Sequence, residues 1–264
     1  MLETSTPREP TIAPHSPANE PRSFDFSPWT TLPVLTPKNA ETPEACGPGA
    51  FERWVALLMF AGITPLLAAI AVAIKVESPR GTIFYRQERV GIDRRRQRDH
   101  SSAENPSLDR GDRRKSPGAG RTFRIWKFRT MVPNAEAGTG PIWATENDPR
   151  VTRVGRFLRT LRMDELPQLL NVVQGDMRLI GPRPERPQFV AQLAKAVPEY
   201  WRRHSVPPGI TGLAQVQRSY DASLDDVVTK LKYDLFYVDN RCLMLNVKIL
   251  MKTFDVVFRG RGAH

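Results

Sequence analysis

A run of 20 residues without a charged side chain constrains this 264-residue chain more than any other feature. It extends from Val55 to Ile74 and reads VALLMFAGITPLLAAIAVAI, with Arg53 just before it and Lys75 just after it. About 20 apolar residues in a helix cross the hydrocarbon core of a bilayer. A helix in the core of a soluble protein usually keeps a polar face, so the run predicts a helix in a membrane.

A proline lies at the middle of this run and limits its geometry. Pro65 removes one backbone donor and clashes with the preceding turn, so we expect the helix to bend or break beside Thr64, whose hydroxyl can serve a freed carbonyl. A sharp bend would let the segment dip into the membrane and return on the same side. A helix that spans the membrane would instead leave the first 50 residues outside. The sequence keeps both topologies open.

Basic residues are concentrated on one side of the apolar run. Only Arg53 lies just before it, whereas several basic residues follow it closely: Lys75, Arg80, Arg86, Arg89 and Arg94. Lysine and arginine are enriched in the cytoplasmic flanks of membrane helices. The charge pattern therefore predicts a tail over residues 1–50, a membrane helix over residues 51–76 and a cytoplasmic domain over residues 77–264.

The net charge indicates an acidic partner. The chain carries 39 Lys and Arg against 28 Asp and Glu, a formal charge of +11. Residues 1–50 hold ten of the 24 prolines and, with three basic and six acidic side chains, a charge of −3, so residues 51–264 carry +14. The tail is predicted to be disordered, and it lacks the features of a signal peptide. The basic remainder suits nucleic acid, an anionic membrane surface or a phosphorylated substrate.

Other global features exclude several classes of protein. A mean hydropathy of −0.40 excludes a multi-span transporter, and 40% hydrophobic residues exclude a chain that is disordered throughout. Two cysteines, Cys46 and Cys242, are too few for a Cys-rich zinc site or a disulfide framework. The class that these exclusions leave is a membrane-attached domain long enough to form its own hydrophobic core.

A hairpin and several helices are predicted after the membrane segment. Thr82–Arg86 and Phe123–Phe128 are aromatic and β-branched enough to form strands. Residues 94–121, with nine basic and four acidic side chains, are predicted to form a flexible loop at the hairpin tip. Apolar periodicity predicts helices over Val154–Leu161, Leu166–Val173, Gln188–Val197, Leu224–Tyr237 and Leu243–Phe258. The last is either a core helix or one lying in the membrane interface. The predicted fold is α+β and mostly helical.

An Asp-Glu pair carries the densest chemical signal. In the sequence RMDELPQ, Pro167 is tolerated only in the first turn of a helix, so Asp164 and Glu165 lie at or just before a helix N-terminus. Free backbone N–H groups there favour ionised carboxylates. An ionised Asp can attack phosphorus, and a neighbouring Glu can hold Mg²⁺. Ordinary helix capping would give the same pair.

Three cations suit phosphate oxygens. Pro182 and Pro184 flank Arg183 and stiffen the backbone that presents its planar guanidinium. Lys127 and Arg129 alternate at a strand end and therefore point to one face. These residues predict phosphate contacts; a solvated turn and the wet side of a sheet would show the same residue types.

Several of these motifs occur in one order along the chain. They are KFRTM from Lys127, DELPQLLNVVQGDM from Asp164, GPRP from Gly181 and PGITGLAQV from Pro208. In this order the chain resembles the bacterial sugar transferase family, the small monotopic phosphoglycosyl transferases, over residues 51–263. Its C-terminal part is similar to members that initiate exopolysaccharide synthesis.

The resemblance implies an enzyme of the bacterial inner membrane whose catalytic domain faces the cytoplasm. Its membrane segment would be a re-entrant helix broken at Thr64-Pro65, accompanied by amphipathic interfacial helices. The implied reaction moves a sugar-1-phosphate from a nucleotide diphosphate sugar, such as a UDP-sugar, to a polyprenyl phosphate, such as undecaprenyl phosphate, with release of UMP. Asp164 would be the nucleophile that forms a covalent phosphosugar intermediate, and Glu165 would bind Mg²⁺.

Some features depart from the family pattern or lie outside it. Pro207 stands where many members have an arginine before Pro-Gly-Ile-Thr-Gly, and the loop over residues 94–121 is longer than usual. No nucleic-acid partner is expected, and a homo-oligomer is compatible with the pattern. The alternative hypothesis is a membrane-tethered basic module that binds anionic lipid or nucleic acid without catalysis.

Overall fold

A computed structural model describes residues 49–93, 120–135, 148–197, 199–217 and 224–258. The predicted disordered tail lies outside these residues up to position 48, and so does most of the predicted loop over residues 94–121. Within the described parts, the fold is mostly helical and contains two small two-stranded sheets. The predicted mostly helical α+β class is confirmed at this level.

The apolar run forms one long helix, α1, over Ala50–Glu77. Its 28 residues give a length of about 42 Å. The helix continues through Pro65, so the predicted break at Thr64-Pro65 is not present as an interruption of the helix. The Thr64 hydroxyl donates to the Phe60 carbonyl at 2.9 Å, one residue before the Ala61 carbonyl whose helical donor Pro65 lacks. Helix α1 has the length and composition to cross a membrane, and only 17% of its most apolar window is buried.

Both ends of α1 are bonded to the rest of the domain. Near its start, the Glu52 carboxylate accepts hydrogen bonds from the backbone N–H of Leu179 at 2.6 Å and from Arg178 Nε at 2.8 Å. At its end, the Glu77 carboxylate accepts from the backbone N–H of Arg153 at 2.8 Å. Between these points, one side of α1 is buried against the domain through Ala56, Leu67, Ile70 and Ile74.

The hairpin consists of β1, Phe84–Val90, and β2, Thr122–Phe128. The strands are antiparallel, with Phe84 opposite Phe128 and Val90 opposite Thr122. The predicted strand Thr82–Arg86 begins and ends earlier in the chain than β1. Pairing with β2 extends β1 through polar residues, which composition alone would not assign to a strand. At the end of the predicted loop, the backbone N–H of Arg121 donates to the Ile92 carbonyl at 3.1 Å.

The Asp-Glu pair lies between two short α-helices. Helix α2 covers Arg153–Thr160, a 3₁₀ helix covers Met163–Gln168, and α3 covers Leu169–Gln174. The predicted single helix over Leu166–Val173 is therefore divided at position 168. Pro167 cannot donate a hydrogen bond, and the chain before it is wound in the tighter 3₁₀ form that is common at helix starts.

The other helices and strands among the described residues follow the Asp-Glu pair. They are β3 (Arg178–Ile180), α4 (Pro187–Ala196), a second 3₁₀ helix (Tyr200–Ser205), β4 (Gly209–Thr211), α5 (Leu213–Gln217), α6 (Leu224–Asn240) and α7 (Leu243–Phe258). Strands β3 and β4 pair in parallel, which the sequence did not predict because each has only three residues. The pairing needs glycine at its start, since a Cβ on Gly209 would lie 2.1 Å from the Gly181 nitrogen.

Helix α7 has a buried side and an exposed apolar side. Leu245 and Ile249 are fully buried against α5 and α6. The opposite side exposes a row of large apolar side chains: Leu243, Met244, Val247, Leu250, Met251 and Phe254. One face of the helix therefore packs in the core, while the other face exposes an apolar surface.

Candidate active site

Asp164 and Glu165 are brought to the centre of the domain by the first 3₁₀ helix. Arg162 precedes them in the left-handed conformation, with φ of 57°, and turns the chain from α2 into this helix. A non-glycine residue seldom adopts that conformation, and such residues are enriched at functional sites. Both carboxylate residues are buried, with 8% and 7% of their surface exposed. The predicted position of the pair at a helix start is confirmed.

Glu165 is held by two cations from different parts of the chain. Lys127 Nζ, on β2, donates to its Oε1 at 2.7 Å. Arg183 donates to both carboxylate oxygens, with Nη1 at 3.1 Å from Oε2 and a second bond from Nη2 to Oε1. Burial acts to raise the pKa of Glu165, but Arg183 and Lys127 outweigh it and hold that pKa well below its usual range. Glu165 is therefore a fixed negative charge.

Asp164 behaves in the opposite way. Burial raises its pKa; the charge of Lys127 acts against that shift, whereas the neighbouring charge of Glu165 adds to it. Arg159, on α2, also favours the ionised form of Asp164. Two adjacent carboxyl groups thus have pKa values displaced in opposite directions, an arrangement typical of sites in which neighbouring acids have different tasks.

The site carries more positive than negative charge. Five basic side chains act electrostatically on the two carboxyl groups: Lys127, Arg159, Arg183, Arg162 and Arg89. Burial lowers the pKa of Lys127, and the charge of Glu165 opposes that shift. A surplus of cations around a pair of carboxylates is suited to an anionic ligand.

The predicted phosphate-contact residues are only partly brought together. Lys127 and Arg183 meet at Glu165. Arg129 instead donates to backbone carbonyls, from Nε to Thr82 and from Nη1 to Met131, at 2.5 and 3.0 Å. It is buried, with 7% of its surface exposed. Its observed hydrogen bonds join the chain segments around the start of β1, and the expected phosphate contact of Arg129 stays a prediction.

The GPRP motif forms a loop, residues 181–186, with buried prolines at positions 182 and 184. Its backbone carbonyls accept hydrogen bonds from three neighbouring segments. Gly209 N–H binds the Pro182 carbonyl at 3.0 Å, Arg203 Nη2 binds that of Arg183 at 2.8 Å, and Arg89 Nη1 binds that of Pro184 at 3.0 Å. The expectation of a stiff backbone that presents Arg183 agrees with these contacts.

Comparison with known proteins agrees with this geometry. The family model described as bacterial sugar transferase matches residues 108–260, more than half of the chain. The chain belongs to the bacterial sugar transferase family. The matched segment includes β2, the Asp-Glu pair and the GPRP loop, and therefore Lys127, Glu165 and Arg183.

Curated members of the family are similar over most of this chain. A UDP-N-acetylgalactosamine-undecaprenyl-phosphate N-acetylgalactosaminephosphotransferase from Aeromonas hydrophila is 44% identical over 200 residues, covering 76% of this chain and 41% of that protein. A UDP-glucose:undecaprenyl-phosphate glucose-1-phosphate transferase from Xanthomonas campestris pv. campestris is 36% identical, covering 81% and 39%. One of the same name from Caulobacter vibrioides is 37% identical, covering 79% and 68%. The chain spans less than half the length of the first two.

Sequence reasoning missed several residues of this candidate site. Arg89 and Arg203 bind the loop, and Arg159 acts on Asp164. Asn171 is fully buried in α3. Its Oδ1 accepts from the backbone N–H of Trp126 at 3.0 Å, and its Nδ2 donates to a backbone carbonyl of β2. These bonds fix the strand of Lys127 against the helix that follows the pair. An asparagine within an otherwise apolar helix is a sequence signal that could have indicated a buried polar contact of this kind.

The donor set of the site is compatible with Mg²⁺. Among the described residues, no group of three or more His, Cys, Asp or Glu side chains gathers at one point. Mg²⁺ is commonly held by one or two protein carboxylates together with substrate phosphates and water. Glu165, the predicted Mg²⁺ ligand, and the adjacent Asp164 supply carboxylates of this kind.

Proposed function

We propose that the chain transfers a sugar-1-phosphate from a UDP-sugar to undecaprenyl phosphate in two steps. The observation that carries the proposal is a buried Asp164 next to Glu165, whose charge is balanced by Lys127 and Arg183. Its relatives are named for UDP-sugar donors and an undecaprenyl phosphate acceptor. Both substrates are phosphate anions, which suits the surplus of cations at the site.

In the first step, a carboxylate oxygen of Asp164 attacks the phosphorus that carries the sugar. The bond between that phosphorus and the bridging oxygen breaks, and UMP leaves with the oxygen and the electron pair. Lys127 and Arg159 favour the ionised Asp164 that this step needs. Because Lys127 and Arg183 balance Glu165, its charge repels the incoming diphosphate less.

In the second step, a phosphate oxygen of the lipid attacks the same phosphorus. The bond to Asp164 breaks, the aspartate leaves as a carboxylate, and a polyprenyl-diphosphate sugar forms. The covalent relay means that the water-soluble donor and the lipid acceptor need not occupy the site together. Arg183 presents two N–H groups in a fixed plane, which suits phosphoryl oxygens in both steps.

Mg²⁺ is part of the proposal. Glu165 would hold the ion, and when bound the ion would offset negative charge on the transferring phosphoryl group. The chain's own residues do the rest: Lys127 and Arg183 keep Glu165 ionised and orient its carboxylate. We expect chelation of divalent cations to stop turnover and added Mg²⁺ to restore it.

We also propose that α1 enters and leaves the membrane on the cytoplasmic side. Glu52 at its start and Glu77 at its end both bind backbone N–H groups of the same domain, a contact pattern that a spanning helix with an external N-terminus would not allow. The exposed apolar side of α7 would lie in the membrane interface. The topology is tested in intact cells with an impermeant thiol reagent and Cys242→Ser protein. We expect Cys46 to stay unlabelled; labelling from outside would mean that α1 spans.

The transferase proposal is tested with the purified full chain and a panel of UDP-sugars. Without a lipid acceptor, we expect at most one equivalent of UMP per enzyme, because the covalent intermediate has no acceptor. Undecaprenyl phosphate added afterwards should convert the retained phosphosugar to lipid product. Asp239→Asn, an exposed ion-pair residue, serves as a matched control and should behave as wild type. Absence of UMP release with every sugar, with lipid present, contradicts the proposal.

A further inference from the structure

A second group of charged side chains lies beneath the GPRP loop, away from the carboxylate pair. Arg203 comes from the second 3₁₀ helix and Asp234 from α6, and both are 2% exposed. Their side chains form an ion pair, with Arg203 Nη2 at 2.7 Å from Asp234 Oδ2. Arg203 Nη1 also donates to the Tyr200 hydroxyl at 2.8 Å. This group is sealed from solvent, so it does not contact a substrate itself.

The ion pair is joined to the active site by one backbone carbonyl. Arg203 Nη2 donates to the carbonyl of Arg183 at 2.8 Å, while the guanidinium of Arg183 binds Glu165. Arg183 is therefore held by Arg203 through its main-chain carbonyl and binds Glu165 through its side chain. The carbonyls on either side are bound by Gly209 and Arg89, so Arg203 completes a continuous set of contacts along the loop.

Stability alone does not account for a buried ion pair at this position. Removing two charges from water is costly, and apolar residues of similar volume often stabilise a core as well or better. A guanidinium, however, can bind Asp234, Tyr200 and the Arg183 carbonyl at once in a fixed plane. An apolar side chain would leave that carbonyl without this donor.

We propose that Arg203 and Asp234 are positioning residues that set the placement of Arg183 over Glu165. Asp234 fixes the plane of the Arg203 guanidinium, Arg203 fixes the Arg183 main chain, and Arg183 in turn orients the Glu165 carboxylate. The effect on turnover rests on the transferase function proposed above. The effect on the loop itself does not depend on that function.

The first test is a double-mutant cycle in the full-length enzyme. Arg203→Lys keeps the buried charge but lacks the planar fork, and we expect kcat/KM to fall by about 10- to 100-fold, as a displacement near 1 Å can cause. In an Arg183→Met background, the same substitution should change kcat/KM less than about twofold, because the residue through which it acts is absent. Arg202→Lys, next in sequence but in an exposed ion pair, is the matched control and should remain at wild-type activity. Equal losses from Arg203→Lys in both backgrounds would overturn the proposal.

The second test measures the loop without any reaction. Hydrogen–deuterium exchange of a peptide covering residues 178–190 should become faster in Arg203→Lys and in Asp234→Asn, and stay unchanged in Arg202→Lys. Unchanged exchange in both buried variants overturns the positioning role. If the wild-type chain releases no UMP yet the loop exchange responds as expected, the transferase function fails while the positioning of Arg183 stands. Asp234→Asn keeps the side-chain volume, so it remains informative should Arg203→Lys fold poorly.

Discussion

Two charged clusters meet at opposite sides of the GPRP loop, and they differ in access to solvent. Above the loop, the side chains of Lys127, Glu165 and Arg183 are 16%, 9% and 27% exposed. Below it, the side chains of Arg203 and Asp234 are each 2% exposed. The upper cluster keeps the access that a substrate needs, whereas the lower one is closed. The difference indicates that one cluster carries out chemistry and the other holds the loop that serves it.

The largest effect is expected from Asp164→Asn. Loss of the nucleophile should lower kcat/KM by at least about 10³-fold. Because burial raises the pKa of Asp164, its charged form is unfavourable in the fold at neutral pH, so the neutral asparagine should leave the free energy of unfolding unchanged or raise it by up to about 1 kcal/mol. Turnover assays and denaturant unfolding without added Mg²⁺ check both results. A variant that is inactive because it is unfolded would contradict the assignment.

Removing Arg203 from the lower cluster should also lower stability. Arg203→Met takes away the guanidinium that pairs with the buried Asp234, and we expect the free energy of unfolding to fall by about 3–5 kcal/mol. Arg202→Met removes an exposed pair with Asp239 and should cost no more than about 1 kcal/mol. Denaturant titration of the two variants measures the difference. Similar costs for both would remove the distinction between a sealed and an open cluster.

Glu165→Gln should change the free energy of unfolding in the opposite direction to Asp164→Asn. Since Arg183 and Lys127 hold the pKa of Glu165 low against burial, the charged form stabilises the fold, and its loss should cost about 1–3 kcal/mol. Turnover should fall by about 10²-fold. The exposed Glu199→Gln is the control. A stabilising effect of Glu165→Gln would show that the two carboxyl groups do not have opposite environments.

The lower cluster also predicts a response to acid. Burial, followed by the charge of Arg203, lowers the pKa of His204 from 6.5 to about 3. As the pH falls, the unfolded chain therefore takes up a proton on His204 at a higher pH than the folded chain does. Stability should fall as the pH drops from about 6.5 toward 3, at up to about 1.4 kcal/mol per pH unit. His204→Phe should flatten the decline between pH 6.5 and 5. An unchanged slope in that range would mean that His204 is accessible.

The smallest effect is expected from the segment that joins the two strands of the hairpin. Deletion of residues 95–119 leaves the hairpin closed by the bonds between Gly91 and Arg121 and between Arg121 and Ile92. Because loop length has a weak effect on closure, kcat/KM should change by less than about threefold. A basic binding module without catalysis would instead lose its function with this segment. The comparison of UMP release with anionic-vesicle binding separates these outcomes.

The parts of the molecule that local sequence determines were predictable. The apolar run gave the position of α1, and Pro167 gave the helix start that carries Asp164 and Glu165. The lower cluster could not be predicted, since Arg203 and Asp234 are distant in sequence and a basic residue in a helix normally indicates a solvated face. Strand alternation also did not predict that nearby backbone carbonyls bind the Arg129 guanidinium.

The most direct measurement is the mass of the purified chain after incubation with a UDP-sugar and no lipid acceptor. The account predicts an added sugar-phosphate mass, located by peptide mapping on Asp164 and removed by undecaprenyl phosphate. The Asp164→Asn variant should show no addition. Full turnover without any covalent adduct, or an adduct located on another residue, would contradict the central claim that Asp164 is the nucleophile.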